Sequence, residues 1–265
     1  MPLENFYIIG HFRGGFTLDK TSLTINKHSW DEAATRFFGR NPLPEYGPLA
    51  PSEEELNLFG DVSGLRVLDV GCGSGHSLKY MNDHGANELW GLDLSTVQIT
   101  AAQKVLEKSN VPFHLFESPM EENPGLPRDY FDIVYSIYAL GWTTNMKQTL
   151  QHIHTYLKKD GVFIFSWEHP LHNRIRRDHD TFTVAKSYHE EGSYKHPAWN
   201  EPAYMQQYRI STYINLLIET GFRIEQLIED VSLTEEDRER HENQWYSYDQ
   251  AKLIPTTFIM KCTKK

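Results

Sequence analysis

The chain has few cysteines and no long apolar run, and each shortage excludes a class of protein. Two cysteines in 265 residues, Cys72 and Cys262, are too few for a disulfide framework or a CxxC metal site. A reducing, cytoplasmic setting is therefore expected. No apolar stretch approaches the roughly 18 residues of a membrane span, and the first residues lack the regions of a secretory signal. We expect no membrane association.

Positive charge is also scarce. The chain has 26 lysines and arginines against 36 aspartates and glutamates, a net charge of −10. Proteins that bind nucleic acid usually present a basic face to the phosphates. The densest basic cluster, Arg174, Arg176 and Arg177, is followed at once by Asp178 and Asp180. We expect a solvated surface patch there and no nucleic-acid partner.

What the chain does have is a glycine-rich turn between a strand and a helix. Residues 67 to 77 read VLDVGCGSGHS, with glycines at 71, 73 and 75. The dinucleotide fingerprint GxGxxG/A would need Gly or Ala at the next position, where this chain has His76. The following strand, ELWGLDL, ends in Asp93, at the separation where an acid reaches ribose hydroxyls in nucleotide-binding units. The two features predict an adenosine-containing ligand without a pyrophosphate.

Strand-like and helix-like patterns alternate through the middle of the chain. Strands are predicted near 65–70, 88–93, 112–116, 131–137 and 161–167, and helices near 76–84, 95–108 and 144–157. A helix at 211–220 and strands at 222–229 and 257–262 are predicted to follow. This order is typical of a doubly wound α/β protein, with a mostly parallel sheet and helices on both faces.

Two regions interrupt this order. Residues 1–28 show no clean period and predict a loosely structured arm, while Ser29 with Glu32 and Ser52 with Glu55 match capping boxes. Those boxes predict helices at 29–38 and 52–59. Residues 168–208 are rich in proline and aromatics without helix or strand period. We therefore divide the chain into an arm with cap helices, 1–60, and a domain, 61–265, with a lid-like insertion at 168–208.

Five segments resemble, in order, the motifs of class I S-adenosylmethionine-dependent methyltransferases. They are VLDVGCGSG, GLDLS, FHLFESPMEE, FDIVYSIYAL and LKKDGVFIFSWEHP, and the resemblance covers roughly residues 60 to 262. It implies a seven-stranded sheet whose last strand is antiparallel and lies between the fifth and sixth. It also implies S-adenosylmethionine as methyl donor and S-adenosylhomocysteine as product.

The resemblance further implies which residues hold the donor. The segment from Asp69 to Gly75 would surround the methionine part, and Asp93 would accept hydrogen bonds from both ribose hydroxyls, with Leu94 at the adenine. Within that segment the implied contacts include Gly71, Cys72, Gly73 and Ser74. Beyond it, the implied cofactor site also includes Glu117, Ser118, Met120 and Ser136.

Three of these residues follow the third strand and are expected to bind the adenine. The Glu117 carboxylate would accept the exocyclic amine, the Ser118 N–H would donate to the ring, and Met120 would lie against the ring face. Ser136 stands near the end of the fourth strand and completes the set.

The acceptor is expected beyond strands four and five. Members of the resembled family that act on exocyclic or amide nitrogens often carry an Asn/Asp-Pro-Pro-aromatic tetrapeptide after the fourth strand, and a Pro-Cys pair is associated with methylation of pyrimidine carbons. Both motifs are absent here, which together with the acidic charge favours a small-molecule acceptor. His169 is the predicted general base because its ordinary pKa lies near neutrality and it directly follows strand five. Tyr138 is the second catalytic candidate. Glu168, His169 and His172 lack HExxH spacing, so no metal is expected.

Several alternatives stay open at this stage. The same turn could serve an NAD-dependent oxidoreductase or a noncatalytic S-adenosylmethionine-binding protein. Aromatic residues of the arm and the insertion could close over a substrate or simply pack; they are Trp30, Tyr46, Trp199, Tyr204 and Trp245. The acceptor, the methylated atom and the oligomeric state are not predicted.

Overall fold

The computed structural model describes residues 20–40, 42–178, 181–196, 199, 201–240 and 246–265. Residues 1–19 of the predicted arm lie outside this part, as do Asp180 and Trp245. The described strands are β1 (Arg66–Val70), β2 (Glu88–Asp93), β3 (Phe113–Glu117), β4 (Phe131–Ile137), β5 (Leu157–Glu168), β6 (Ile175–Asp178), β7 (Thr181–Val184), β8 (Gly192–Lys195), β9 (Tyr204–Gln207), β10 (Phe222–Ile228) and β11 (Thr257–Lys264). The described helices are α1 (Lys20–Ala33), α2 (Glu53–Leu56), α3 (His76–Asp83), α4 (Thr96–Val105), α5 (Met146–Tyr156), α6 (Ile210–Thr220), α7 (Glu235–Arg240) and α8 (Tyr248–Ala251).

Seven strands form one sheet in the order β10-β11-β5-β4-β1-β2-β3. Strands β1 to β5 are parallel, and β11 runs antiparallel between β5 and β10. The predicted α/β fold and the antiparallel last strand are confirmed. The chain leaves β1 toward β3 and then returns to β4 on the other side of β1. In such sheets ligands bind at this reversal, beyond the carboxyl ends of the strands.

Strand β1 shows why the central strands are apolar along their whole length. Val67 and Leu68 are both fully buried, although they point to opposite faces of the sheet. Val67 belongs to a core cluster with Leu78 of α3, and Leu68 to a second cluster with Leu150 of α5. Helices therefore cover both faces, and the ends of the strands are left to form a site.

The two predicted cap helices differ from the observed ones. The helix predicted at 29–38 is wrong, because α1 already spans Lys20–Ala33 and a 3-10 turn at Ala34–Phe37 follows it. Ser29 lies inside α1 and donates its hydroxyl to the Pro202 carbonyl instead of capping. At the second position the Ser52 N–H does donate to Glu55 at 2.7 Å. Helix α2 ends early, however, because Asn57 takes a left-handed conformation with φ of 47°.

The insertion contains regular structure that its sequence pattern does not predict. Strands β6 and β7 pair antiparallel with each other, and so do β8 and β9. Each strand has only four residues, too short for alternation to be recognised. The Asn26 side chain of α1 exchanges two 2.8 Å hydrogen bonds with the backbone of Tyr204, so the arm and the insertion are joined. Within the described residues, no helix is long and apolar enough to cross a bilayer.

Candidate active site

A cavity of about 800 Å³ lies at the carboxyl ends of the central strands. Its size falls in the range of small-molecule and cofactor sites. We call one side the donor half; its residues come from the turn after β1 and the loops after β2 and β3, and include Asp69, Gly71, Cys72, Gly73, Ser74, Asp93, Leu94, Ser118 and Met120. We call the other side the acceptor half; its residues include Trp30, Phe37, Tyr138, Trp142, Trp167, His196, Trp199 and Tyr246.

Gly73 and Gly75 of the turn have different surroundings. At Gly73, where φ is +51°, an added Cβ would meet nothing within 4 Å, so this position faces open space. At Gly75, where φ is +77°, an added Cβ would lie 2.9 Å from the Cβ of Ala102 in α4. Gly75 does not line the cavity. Its missing side chain instead lets α3 begin against α4.

Backbone hydrogen bonds hold the turn in shape. The Asp93 carboxylate accepts the N–H of Gly73 and the N–H of Ser95, each at 2.9 Å. The N–H groups of Gly71 and Cys72 both donate to the Leu92 carbonyl. These N–H groups are thus committed to the protein. Each carboxylate oxygen of Asp93 can accept a further hydrogen bond, so the side chain still offers acceptors to a diol.

Two buried carboxylates lie close together in the donor half. Burial raises the pKa of Asp69 well above its usual range, and the nearby charge of Asp93 raises it further. Burial also raises the pKa of Asp93, against the two backbone N–H groups that stabilise its charged form. A ligand that brings a cation or hydroxyl donors would relieve this repulsion.

Three residues expected to contact the cofactor make other hydrogen bonds in the structure. Glu117 does not line the cavity; its carboxylate accepts a hydrogen bond from Lys27 at 2.9 Å. The Ser118 N–H donates to the Asp93 carbonyl at 2.9 Å and is not free for an adenine ring. Ser136 is fully buried and donates its hydroxyl to the Val70 carbonyl, which ties β4 to β1.

Lys27 of α1 explains the position of Glu117. Its ammonium group also donates to the Leu94 carbonyl at 3.1 Å and to the Thr96 hydroxyl at 2.6 Å. One turn along, Asp31 accepts the Ser95 hydroxyl at 2.6 Å. Helix α1 therefore binds the loops after β2 and β3 and covers the donor half. No motif within α1 signals this, because its partners are about 65 to 90 residues away.

Tryptophan rings form much of the acceptor half. Trp30 of α1, Trp142 after β4 and Trp199 of the insertion meet edge to face, with centroids 4.8 to 5.1 Å apart. Of the other aromatic candidates, Tyr46 and Tyr204 do not line the cavity. The Tyr46 hydroxyl donates to Glu53 inside the core. Three separate segments therefore converge on one wall.

Tyr138 lies in the acceptor half, but its hydroxyl is already engaged. It takes a left-handed conformation with φ of 54°, and its hydroxyl is 3.0 Å from the Thr257 hydroxyl. Burial and the nearby Glu168 raise the pKa of Tyr138, so it stays a neutral phenol. It can orient a neighbour through hydrogen bonding, and it is not a base.

His169 is buried away from the cavity. Its Nε2 lies 2.7 Å from a Glu229 carboxylate oxygen, and its Nδ1 accepts the Leu171 N–H at 3.2 Å. Both ring nitrogens are therefore occupied, and His169 does not line the cavity. His169, the predicted general base, thus lies outside the cavity with its ring turned toward Glu229, which follows β10.

A different histidine lines the acceptor half. His196 of the insertion is 7% exposed, and its backbone N–H donates to the Ala203 carbonyl at 2.9 Å. Burial lowers the pKa of His196, while the charge of Glu168 raises it. Glu168 is held by the Asn173 amide at 3.1 Å and the Tyr246 hydroxyl at 3.3 Å. Sequence reasoning missed His196 because nothing around it has a period or a known spacing.

Comparison with known proteins identifies the family. A family profile described as methyltransferase domain matches residues 26–227. An uncharacterized protein of Haemophilus influenzae is 32% identical over 186 residues, which cover 66% of this chain and 73% of that protein. A tRNA U34 carboxymethyltransferase of Idiomarina loihiensis is 33% identical over 108 residues, which cover 39% of this chain and 33% of that protein.

Solved structures agree on the fold. An S-adenosylmethionine-dependent methyltransferase of Mesorhizobium loti superposes with a TM-score of 0.66 at 24% identity, covering 79% of this chain and 95% of that one. Because the matching family profile is that of a methyltransferase domain, it replaces the alternative of an NAD-dependent oxidoreductase. This chain belongs to the class I S-adenosylmethionine-dependent methyltransferases, and its methyl donor is S-adenosylmethionine.

Proposed function

We propose that this protein transfers the methyl group of S-adenosylmethionine to a small organic acceptor bound among the tryptophans. The observation that carries the proposal is that the turn after β1 and the tryptophan wall line one continuous cavity. Methyl transfer from a sulfonium is an in-line displacement, which needs donor and acceptor held together in a dry space. A shared cavity with aromatic walls supplies that arrangement.

Donor recognition is assigned to the residues that line the donor half. The turn from Gly71 to Ser74, with Asp69 beneath it, would hold the methionine part, and Asp93 the ribose hydroxyls. Leu94 and Met120 would contact the adenine through apolar surface. Glu117, Gly75 and Ser136 are left out of this assignment because they do not line the cavity.

The volume supports a small acceptor. Pockets for a single ligand start at roughly 300 Å³, so a cavity of about 800 Å³ that also holds the donor leaves space for one modest molecule. The net charge of −10 gives no general attraction for polyanions. A relative that acts on tRNA is therefore a poor guide to this acceptor.

His196 is the group best placed to receive a proton from the acceptor. It lines the acceptor half, and the pKa lowered by burial keeps its ring neutral at physiological pH. A neutral imidazole can accept a proton from a hydroxyl or an amine as the methyl group arrives. Tyr138 would orient the acceptor beside it.

Two measurements test the proposal. Calorimetric titration with S-adenosylhomocysteine should show binding that the donor-half variant Asp93→Ala weakens. Purified protein given methyl-labelled S-adenosylmethionine and a mixed metabolite extract should place label in small organic products. Label confined to added total tRNA or to protein would contradict the small-molecule acceptor. Donor binding without transfer to any of the three fractions would favour the noncatalytic alternative.

A further inference from the structure

We propose that the acceptor carries a carboxylate, and that Arg36 and Arg40 bind it at the mouth of the cavity. The inference rests on the proposed function and adds the chemical class of the acceptor. Both arginines line the cavity, and both follow α1, outside the strands that define the fold. They are the specificity-determining residues of the site.

The two guanidinium groups share one aromatic surface. The Arg36 Cζ lies 4.9 Å from the Phe37 ring centre and 5.4 Å from that of Trp199. The Arg40 Cζ lies 5.5 Å from the same Phe37 ring. A guanidinium held over an aromatic ring by its charge can still present its N–H edge, which is the edge that binds a carboxylate in bidentate fashion.

In the part of the chain that the structure describes, neither arginine of the pair has a carboxylate counterion, unlike several other arginines. Among the described residues, no carboxylate oxygen lies within 4 Å of the Arg36 or Arg40 side-chain nitrogens. In contrast, Arg66, Arg209 and Arg223 each pair with a glutamate. Two like charges beside one ring repel each other, and an anion bound between them would remove that cost.

Two of the acids around the same cavity are held by other donors. Glu55 accepts the Ser52 N–H, and Asp237 accepts the N–H and hydroxyl of Thr234. Glu45 also lines the cavity. These negative charges oppose a dianion more strongly than a monoanion, which favours a carboxylate over a phosphate.

The rings beside the arginines indicate the shape of the rest of the acceptor. Phe37 and Trp199 stack with an interplanar angle of 13° and centroids 5.5 Å apart. Trp30 and Trp142 continue this surface toward the strand ends. Aromatic walls of this kind bury flat apolar ligands well. A planar carboxylic acid would place its charge at the arginines and its body along the tryptophans.

The test compares a carboxylate with its uncharged isostere. The protein is saturated with S-adenosylhomocysteine and titrated calorimetrically with benzoate, benzamide, 4-hydroxybenzoate and 4-hydroxybenzamide, with quenching of tryptophan fluorescence as a second readout. Each acid should bind at least tenfold tighter than its amide. Arg36→Gln combined with Arg40→Gln should abolish that preference. Arg223→Gln, an exposed arginine on β10 that does not line the cavity, is the matched control and should keep it.

Four outcomes would overturn the inference. They are equal binding of acid and amide, binding of neither, a preference that survives in the double variant, and tighter binding of phenyl phosphate than of benzoate. Titration with S-adenosylhomocysteine in the same preparations separates this result from the proposed function. Failure to bind it would contradict the proposed function, whereas normal binding of it with no acid preference would contradict the carboxylate alone.

Discussion

The two halves of the cavity are built by different means. In the donor half, backbone hydrogen bonds fix the turn, and Asp93 alone accepts the N–H groups of two separate segments. In the acceptor half, side chains from α1, the loop after β4 and the insertion meet through their rings. The hydrogen bonds of the first join positions 2 and 20 residues apart, and the ring contacts of the second join residues 57 to 169 apart. Donor recognition is therefore readable from short motifs, while acceptor recognition is not.

The largest difference in kcat is expected between variants of His196 and His169. His196→Asn should lower kcat about 100-fold, the lower range for loss of a general base, without changing the affinity for S-adenosylhomocysteine. His169→Asn, the matched control outside the cavity, should leave kcat within a few-fold of the wild type. Steady-state kinetics on the identified acceptor measures both. Equal loss in the two variants would show that His196 acts only through stability.

The same variant predicts a change in pH dependence. Because burial lowers the pKa of His196, its neutral form persists as the pH falls, and activity should decline only below about pH 6.5, the usual value for histidine. The wild-type kcat profile should show this acidic limb, and the profile of His196→Asn should not. An acidic limb that is identical in both proteins would assign it to another group.

The effect of Asp93, in the donor half, can be compared with that of Glu117, which lies outside the cavity. Asp93→Ala removes the proposed ribose acceptor and frees two backbone N–H groups, so it should weaken S-adenosylhomocysteine binding by about 2–3 kcal/mol. Glu117→Ala should weaken it no more than a few-fold, because Glu117 only holds Lys27 from outside the cavity. Calorimetry on both variants checks the difference, and a reversed ranking would restore Glu117 to the site.

Two glycines of the turn should separate ligand contact from packing. Gly75→Ala places a methyl group against Ala102 and should destabilise the fold by about 2 kcal/mol, measured by denaturant unfolding. Gly73→Ala should lower the free energy of unfolding by about 1 kcal/mol because of the positive φ. It should also weaken S-adenosylhomocysteine binding, because its methyl group would enter the space where the donor is proposed to bind. Full donor affinity in Gly73→Ala would place the donor elsewhere.

The smallest effect is expected where α1 covers the donor half. Lys27→Met removes the hydrogen bonds to Leu94, Thr96 and Glu117 but keeps the length of the side chain. Because the ion pair is partly exposed, we expect S-adenosylhomocysteine to dissociate only two- to five-fold faster. Stopped-flow displacement measures the rate, with Lys79→Met on α3 as control. An unchanged rate would show that α1 does not retard release.

The fold was predictable because its signals are local. The apolar strands, the helices between them and the turn at 71 to 75 follow from residues that neighbour each other in sequence. The predicted starts and ends of β2 and β4 agree with the observed ones. The capping box at Ser29 failed for the opposite reason: its hydroxyl has a partner 173 residues away, which no local pattern reveals.

The lining of the cavity was predictable only in part. Asp93 and Gly73 line the cavity because the end of β2 and the turn after β1 lie at its edge. Glu117 stands at a matching strand end, yet Lys27 draws its carboxylate outward, and the Ser118 N–H is taken by a neighbouring strand. A competing partner from elsewhere in the chain decides such cases.

The sequence by itself determined the sheet, the glycine turn and the methyl donor, since these depend on apolar periodicity and on spacings within a few residues. Only the tertiary structure decided which histidine lines the cavity, which carboxylate lies outside it and which rings form its wall. The physical reason is that side-chain hydrogen bonds and ring contacts are short-ranged in space. His169 and His196 both lie in the same irregular region of the sequence, and only folding brings one to the cavity and turns the other away.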